Sequence, residues 1–443
     1  MKRVIAIVMG LSFCVLLAVP AAPALAQDTG SGDEISGKMV AADEAAKKSD
    51  TSTEAPQSDN AAAPKLTFAE ALSSGKATVN LRYRFESVDD DAFSSSGQAS
   101  TLRTALSYST KPYHGFRLYL QAENVVNVWL GDSHNNKGFG DSWNGVTDRP
   151  VILDPPGTEM LQAFVEYAND GSALQLGRQV INLDDQRHVG AIGWRQHWQS
   201  HDAIRFRNDR FGNFTFNYAY LDKNYRINRA RLDTSSHLIN AQYKLDGIGA
   251  ITAYGYLLRY NDAGAFALSR DTFGAEFKGS YATGDVTLHY EIEYAHQGDA
   301  GDNPVQVDAN YLNLMAGVGY SDFTFRVGWE NMDGSRRDGQ FQFALGTNHA
   351  FNGWVDKFLS TPTNGLTDFM MRLDGPAGPV KWQIRYHEFS AKTGDARYGS
   401  EVDFMASYAA PWKQTFALKG GIYGADEFSK DTTKIWLWTA YSF

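Results

Sequence analysis

The chain lacks several features that define common classes of protein. Its only cysteine, Cys14, lies in an apolar run near the N-terminus, so the rest of the chain has no thiol for a disulfide, a metal or catalysis. Lysine and arginine total 41 against 51 aspartates and glutamates, and this net charge of -10 argues against binding to nucleic acid. Beyond residue 26 no apolar run reaches the roughly 18 residues that a transmembrane helix needs.

Residues 1–26 have the pattern of a cleaved secretory signal peptide. Lys2 and Arg3 form a charged start, and the apolar run 4–19 comes directly after them. Residues 24–26 read Ala-Leu-Ala, which is the small–x–small pattern that precedes signal cleavage. We therefore expect that the chain is exported from the cytoplasm and that this segment is removed.

Residues 27–64 differ in composition from the remainder of the chain. They are rich in alanine, serine, aspartate, glutamate and lysine, and they contain almost no large apolar residue. Such a segment cannot bury enough apolar surface to offset the entropy that folding costs. We expect a disordered periplasmic tether here and a folded domain over residues 65–443.

From residue 76 onward, apolar and polar side chains alternate along the chain. Leu81 and Tyr83, for example, alternate with Arg82 and Arg84. A period of two indicates β-strands with one apolar and one polar face. The same pattern recurs near residues 214–220, 286–294, 323–330 and 380–387.

The connections between these segments favour a membrane barrel over a soluble β-sandwich. Eight short turns alternate strictly with nine longer segments, which implies 18 strands, with 16–18 as the range. Short periplasmic turns and long external loops are typical of transmembrane β-barrels. We therefore predict an all-β fold, an antiparallel up-and-down barrel that spans a bilayer with its backbone fully paired.

The C-terminal strand ends on an aromatic residue. Ile435, Leu437, Tyr441 and Phe443 fall on one face of it, and this ending resembles the recognition signal of bacterial outer-membrane proteins. It predicts location in the outer membrane, with lipid around the barrel and with Phe443 contacting the barrel-assembly machinery. Candidates for the aromatic girdles at the membrane interfaces are Tyr108, Tyr167, Tyr281, Tyr320, Trp329 and Trp436.

The inward face of the predicted strands carries many arginines. A barrel of this size leaves an aqueous lumen unless loops fill it. The guanidinium group matches a carboxylate with two parallel hydrogen bonds, which suits a passage for acidic sugars or other carboxylates. The alternative is that opposite charges pair across neighbouring strands and only keep the lumen wet. The inward arginines on strands are Arg82, Arg84, Arg103, Arg117, Arg205 and Arg207.

No metal site or cofactor is predicted. His197 and His201 have the i, i+4 spacing of helical metal ligands, but no helix pattern surrounds them and no third ligand is evident. Carboxylates in the predicted loops are interpreted as solvated charge.

Two segments are similar to those of a known family. Residues Leu176–Arg205 read L-G-R-Q-V-I-N-L-D-D-Q-R-H-V-G-A-I-G-W-R-Q-H-W-Q-S-H-D-A-I-R, and Phe351–Asp368 read F-N-G-W-V-D-K-F-L-S-T-P-T-N-G-L-T-D. They resemble the signatures of the alginate-export family of outer-membrane porins. The resemblance implies an eighteen-stranded monomeric barrel with an arginine-rich passage for polyuronate. It adds Arg178, Arg187 and Arg195 as candidate anion contacts.

These patterns lead to one principal functional hypothesis and three alternatives. The principal one is a passive outer-membrane channel for anionic saccharides, above all alginate or related uronates. The first alternative is a general or small-solute porin without uronate selectivity. An outer-membrane enzyme is disfavoured, because no G-x-S-x-G, H-E-x-x-H or Walker-type motif occurs. An adhesin or an inert structural barrel is the last alternative.

Overall fold

The described residues form a closed β-barrel. The computed structural model describes residues 66–131 and 133–443. Eighteen strands within these residues form one antiparallel sheet, and the last of them pairs with the first. The predicted fold class and strand number are therefore confirmed. The predicted signal peptide, residues 1–26, and tether, residues 27–64, lie outside the described residues.

Each barrel strand is hydrogen-bonded to the barrel strands before and after it in the chain. Two further strands form a small hairpin inside one loop. The strands are β1 (Lys76–Asp90), β2 (Gly97–Ser109), β3 (Phe116–Asn127), β4 (Gly157–Asn169), β5 (Ser172–Gln179), β6 (Ser200–Phe211), β7 (Phe214–Tyr225), β8 (Arg231–Leu245), β9 (Gly249–Leu257), β10 (Arg270–Thr283), β11 (Val286–Asp299), β12 (Asp308–Tyr320), β13 (Phe323–Met332), the hairpin β14 (Gly334–Ser335) and β15 (Gly339–Gln340), β16 (Leu366–Ala377), β17 (Val380–Ser390), β18 (Arg397–Ala409), β19 (Gln414–Ala425) and β20 (Thr432–Ser442).

Within the part of the chain that the structure describes, one short α-helix, α1 (Phe68–Ser73), precedes the barrel. The side chain of Thr67 accepts a hydrogen bond from the backbone N–H of Glu70, and the Glu70 side chain accepts one from the backbone of Thr67, so a capping box fixes its start. Short 3₁₀ helices lie at Gly140–Ser142, Ala263–Leu268 and Asn348–Ala350. Among the described residues, no helix has the length and apolarity to cross a bilayer.

The alternation in the sequence places apolar side chains outside and polar side chains inside. On β1, Arg82 and Arg84 are buried, whereas on β5 the side chains of Leu174 and Leu176 are exposed. An exposed apolar band is what lipid contact requires of a barrel's outer surface. Other members of the band are Leu106, Leu120, Val165, Ile204, Ile251, Ile292, Val318, Leu373, Ile384, Val402 and Leu437.

Short turns join the strands at one end of the barrel, called here the turn end, and longer connections join them at the loop end. Asp170 and Gly171 form a two-residue turn in which both residues have positive φ, as the hairpin between β4 and β5 requires. Phe443 lies at the turn end, where its backbone exchanges hydrogen bonds of 2.8 and 3.0 Å with Val79. The three longest connections are loop 128–156, loop 180–199 and loop 333–365.

One aromatic residue differs from its predicted place. Tyr281 and Tyr320 are 55% and 61% exposed, as interfacial residues would be, but Trp436 is fully buried. Its neighbours Ile435 and Leu437 occupy the outer face of β20, so Trp436 necessarily faces inward.

Candidate transport passage

Loop 180–199 and loop 333–365 fold into the barrel and pair with each other. Val189 and Leu345 form a parallel β-bridge, and the backbone N–H of Gly190 donates to the Leu345 carbonyl at 2.9 Å. The Gln199 side chain donates to the same carbonyl at 3.1 Å. The two loops thus act as one inserted layer, and its apolar side chains pack against inward residues of the wall. That cluster includes Ile181, Leu183, Val189, Phe341, Phe343 and Leu345 with Tyr254 and Tyr311.

Arg82 attaches loop 180–199 to the wall. Its guanidinium donates to the Gln196 side chain at 2.9 Å and to the Gly193 carbonyl at 2.8 Å, and it also donates to the Arg195 carbonyl. A planar fork with five donors is well suited to hold several backbone carbonyls of one loop. Arg82 therefore shapes the passage through the loop that it holds.

Arg84 and Arg195 meet three carboxylates in the buried interior. Arg195 Nη1 lies 3.1 Å from a Glu86 oxygen and 3.9 Å from an Asp154 oxygen, and its Nη2 lies 3.3 Å from Asp356. Arg84 pairs with Asp154 as well. We call these five residues the ion lock, because they join β1 to all three long loops.

The two aspartates of the ion lock stay ionised. Burial would raise the pKa of Asp154, but Arg84 and Arg195 hold that pKa below its usual value. Burial acts the same way on Asp356, yet His349 and Lys434 hold the pKa of this carboxyl well below its usual value. Buried carboxylates remain charged when positive groups surround them in this way.

Further basic groups, which the predicted arginine set does not include, extend the ion lock. His349 Nδ1 lies 2.6 Å from Asp356, and its Nε2 lies 2.7 Å from Lys419 Nζ. Lys434 Nζ lies 2.8 Å from Asp356. The alternation of β20 predicts that Lys434 faces inward. No pattern in the sequence predicts the position of His349, which lies in loop 333–365.

Arg103 and Arg187 are buried in two other ion pairs. Arg103 contacts Glu123 at 2.9 and 3.0 Å, and Glu123 also lies 2.9 Å from His197 Nδ1 in loop 180–199. Arg187 lies 2.7 Å from Glu330, and its guanidinium stacks 3.7 Å from the ring centre of Phe343. Both arginines thus hold the inserted loops against the wall.

Three other predicted arginines line the lumen closer to the turn end and remain partly exposed. Arg117 pairs with Glu166 at 2.9 Å, and its side chain is 16% exposed. Arg205 donates to Asn217 at 3.2 Å, and Arg207, 27% exposed, lies 3.6 Å from an Asp209 oxygen. We call Arg117, Arg205 and Arg207 the basic strip.

Arg178 lies on the outer face of the barrel. It shares the face of Leu174 and Leu176 on β5, and there it pairs with Asp202 at 2.9 Å. Its guanidinium lies 3.5 Å from the ring centre of Tyr225. Arg178 therefore does not contact the lumen.

The nine predicted arginines thus fall into three groups. Five are buried and hold loops: Arg82, Arg84, Arg103, Arg187 and Arg195. Three form the basic strip, and Arg178 faces outward. Eight of the nine therefore face the interior of the barrel. The five buried arginines form their hydrogen bonds and ion pairs with side chains and carbonyl groups of the protein itself.

The fold and the inward arginines define a class, the outer-membrane porins, and comparisons with known proteins agree. The model of the alginate export family matches residues 76–332, which is more than half of the chain. The chain therefore belongs to the alginate export family, and it is an outer-membrane channel of bacteria. No curated protein matches it in sequence.

Solved porins share this barrel at low sequence identity. Pseudomonas aeruginosa OccK5 (OpdH) has a TM-score of 0.62 and 14% identity, covering 83% of this chain and 98% of its own. Pseudomonas aeruginosa OpdK, solved with vanillate, has a TM-score of 0.63 and 15% identity, covering 83% and 98%. Acinetobacter baumannii OccAB3 has a TM-score of 0.64 and 13% identity, covering 84% and 100%.

Proposed function

We propose that this channel passes anionic saccharides, with alginate and related uronates as the favoured cargo, by passive diffusion along the basic strip. The observation that carries the proposal is the position of Arg117, Arg205 and Arg207. Each has a guanidinium that is partly exposed to the lumen below the inserted loops.

The spacing within the basic strip suits an extended anion. Arg117, Glu166, Gln175 and Arg205 are consecutive cross-strand partners on β3, β4, β5 and β6. Neighbouring strands lie about 4.8 Å apart, so Arg117 and Arg205 are separated by about 14 Å along the wall. Two carboxylates of one oligouronate could therefore engage different arginines, with one of them replacing Glu166 at Arg117 and with Gln175 contacting a hydroxyl group of the sugar.

The test is the reversal potential of single channels in a salt gradient. Replacing Arg117, Arg205 and Arg207 together by glutamine should abolish the preference for anions, because three positive charges leave the lumen wall. Arg178→Gln is the matched control, since this arginine faces outward and its loss should leave the reversal potential unchanged. A triple variant with undiminished anion preference would contradict the proposal.

The second candidate is a porin for small solutes without uronate selectivity. This candidate is supported by the structural similarity to OpdK, which was solved with the small carboxylate vanillate. Conductance recorded with oligouronate, vanillate and a neutral oligosaccharide separates the two candidates. Block by oligouronate alone supports the first, and equal responses to all three support the second.

A further inference from the structure

A small polar cavity lies between loop 180–199 and the wall at β10 and β11. Its volume is about 10 Å³, which is the size that holds one water molecule or one monatomic ion. The polar lining includes Asp184, Asp185, His188, Tyr254 and Glu276.

Three carboxylates converge beside the cavity. One oxygen each from Asp185, Glu276 and Glu291 lies within 4.8 Å of the other two. Ca²⁺ binds carboxylate oxygens at about 2.3–2.6 Å, so two of its ligands lie no more than about 5 Å apart. A site with several carboxylates is typical of Ca²⁺, whereas Mg²⁺ keeps several waters and uses only one or two carboxylates of the protein.

Glu276 shares its nearest positive group, Lys278, with Glu291 and Asp185. It is 8% exposed, and no hydrogen bond or ion pair joins its carboxylate to another residue of 66–131 or 133–443. A buried carboxylate is normally paired, bound to a metal ion or neutralised by a proton. On the neighbouring strand its cross-strand partner is Glu293, another acid, so the strand pairing adds repulsion.

The local charge balance leaves room for a divalent cation. Lys278 Nζ lies 2.9 Å from Glu291 and 3.9 Å from Asp185. When all three carboxylates are ionised, one lysine leaves the cluster with a charge of about -2, which a single divalent ion would cancel.

A second group of possible ligands differs in this respect. Glu123, Glu159 and His197 also have ligand atoms within 4.8 Å of one another. Arg103 lies 2.9 Å from Glu123, and Arg229 lies 3.0 Å from Glu159. Both carboxylates of that group therefore already have cationic partners, and the group carries no surplus charge to attract a metal ion.

We propose that Asp185, Glu276 and Glu291 bind one divalent cation, Ca²⁺ by its ligand chemistry, and so join loop 180–199 to β10 and β11. Glu276 and Glu291 come from the rigid wall, whereas Asp185 comes from the inserted loop. The Asp185 side chain is 28% exposed, which leaves a path for the ion and space for water ligands. The bound ion would fix the loop that narrows the passage.

Terbium luminescence tests the proposal on the purified, detergent-solubilised protein after treatment with EGTA. Tyr254 lines the cavity and can transfer excitation to Tb³⁺ bound there. We expect saturable Tb³⁺ emission that Ca²⁺ displaces. Glu276→Gln should weaken the affinity by at least about tenfold, as loss of a metal-site residue does. Glu427→Gln is the control, because it removes the same charge from an exposed loop position.

Asp185→Asn provides a second variant in the loop, so the test does not depend on the folding of Glu276→Gln. Equal Tb³⁺ affinity in the wild type and in both variants would overturn the proposal. Absence of saturable binding to the wild type would also overturn it, and the carboxylates would then be neutralised by protons and by Lys278. The Tb³⁺ assay measures metal affinity and not the ion selectivity of the channel. Its outcome is therefore independent of whether the proposed function is correct.

Discussion

Removal of Arg195 should release the inserted loops while leaving the barrel intact. This residue lies in loop 180–199 and binds Glu86 on β1 and Asp356 in loop 333–365 at 3.1 and 3.3 Å. Asp154 in loop 128–156 lies 3.9 Å away. Arg195→Ala therefore removes one positive group that three separate segments share.

The expected energetic effect is large for a single residue. Loss of one partner from a buried ion pair costs about 3–5 kcal/mol, because the remaining charges stay buried without compensation. A change of about 1.4 kcal/mol corresponds to a factor of ten, so the ratio of docked to released loops should fall by about two to four powers of ten. Arg84 and Lys434 still neutralise part of the remaining charge, which places the effect toward the lower end.

Two measurements report on the loops without unfolding the barrel. Single-channel conductance should rise in Arg195→Ala, and limited proteolysis should cut loop 180–199 faster than in the wild type. Arg178→Ala is the control, because it breaks a partly exposed pair on the outer face that is worth about 0–1 kcal/mol. Unchanged conductance together with unchanged protease resistance in Arg195→Ala would refute the role of the ion lock.

The same geometry supports three further predictions. Asp154 and Asp356 have lowered pKa values, so their contribution to loop docking is complete above the ordinary aspartate pKa of about 3.9 and is lost as the pH falls through the folded values. Conductance should therefore stay constant from pH 7 to about 4 and rise in more acidic solution, whereas constancy at all pH values would contradict this. Leu176→Arg places a charge in the lipid-facing band and should lower the free energy of unfolding in vesicles by up to about 2–4 kcal/mol, measured by urea titration. Deletion of Phe443 should reduce the amount of barrel assembled in the outer membrane, measured by heat-modifiable mobility, and an undiminished amount would argue against its contact with the assembly machinery.

Local patterns in the sequence were sufficient to predict the barrel. The two-residue period sets which side chains face lipid, and turn residues such as Asp170 and Gly171 mark the strand ends. Both signals depend on residues close together in the chain. The number of strands and the inward position of Arg82 and Arg84 result from them directly.

The inserted loops could not be predicted in the same way. Asp154, His349 and Asp356 lie in segments without any period, and their partners on the wall, Arg84, Lys419 and Lys434, are distant in sequence. Pairing of this kind is decided by burial in the folded protein, where an unpaired charge is costly. Consequently the inward arginines were recognisable as lumen residues, but their use as loop anchors was not.

The segment around Arg178 illustrates a different limit. Arg178, Arg187 and Arg195 belong to one motif, but this motif begins on β5 and continues into loop 180–199. On the strand, Gln175 and Gln179 take the inward positions, so Arg178 faces outward with Leu176. Membership of a motif therefore says less about orientation than the strand period does.

The most direct test of the proposed cargo is block of single wild-type channels by oligouronate. We predict that oligouronate interrupts the current at concentrations where a neutral oligosaccharide of the same length does not. We also predict that the block weakens when Arg117, Arg205 and Arg207 are replaced by glutamine. Equal block by the charged and the neutral sugar, or a block that the triple substitution leaves unchanged, would contradict passage of uronates along the basic strip.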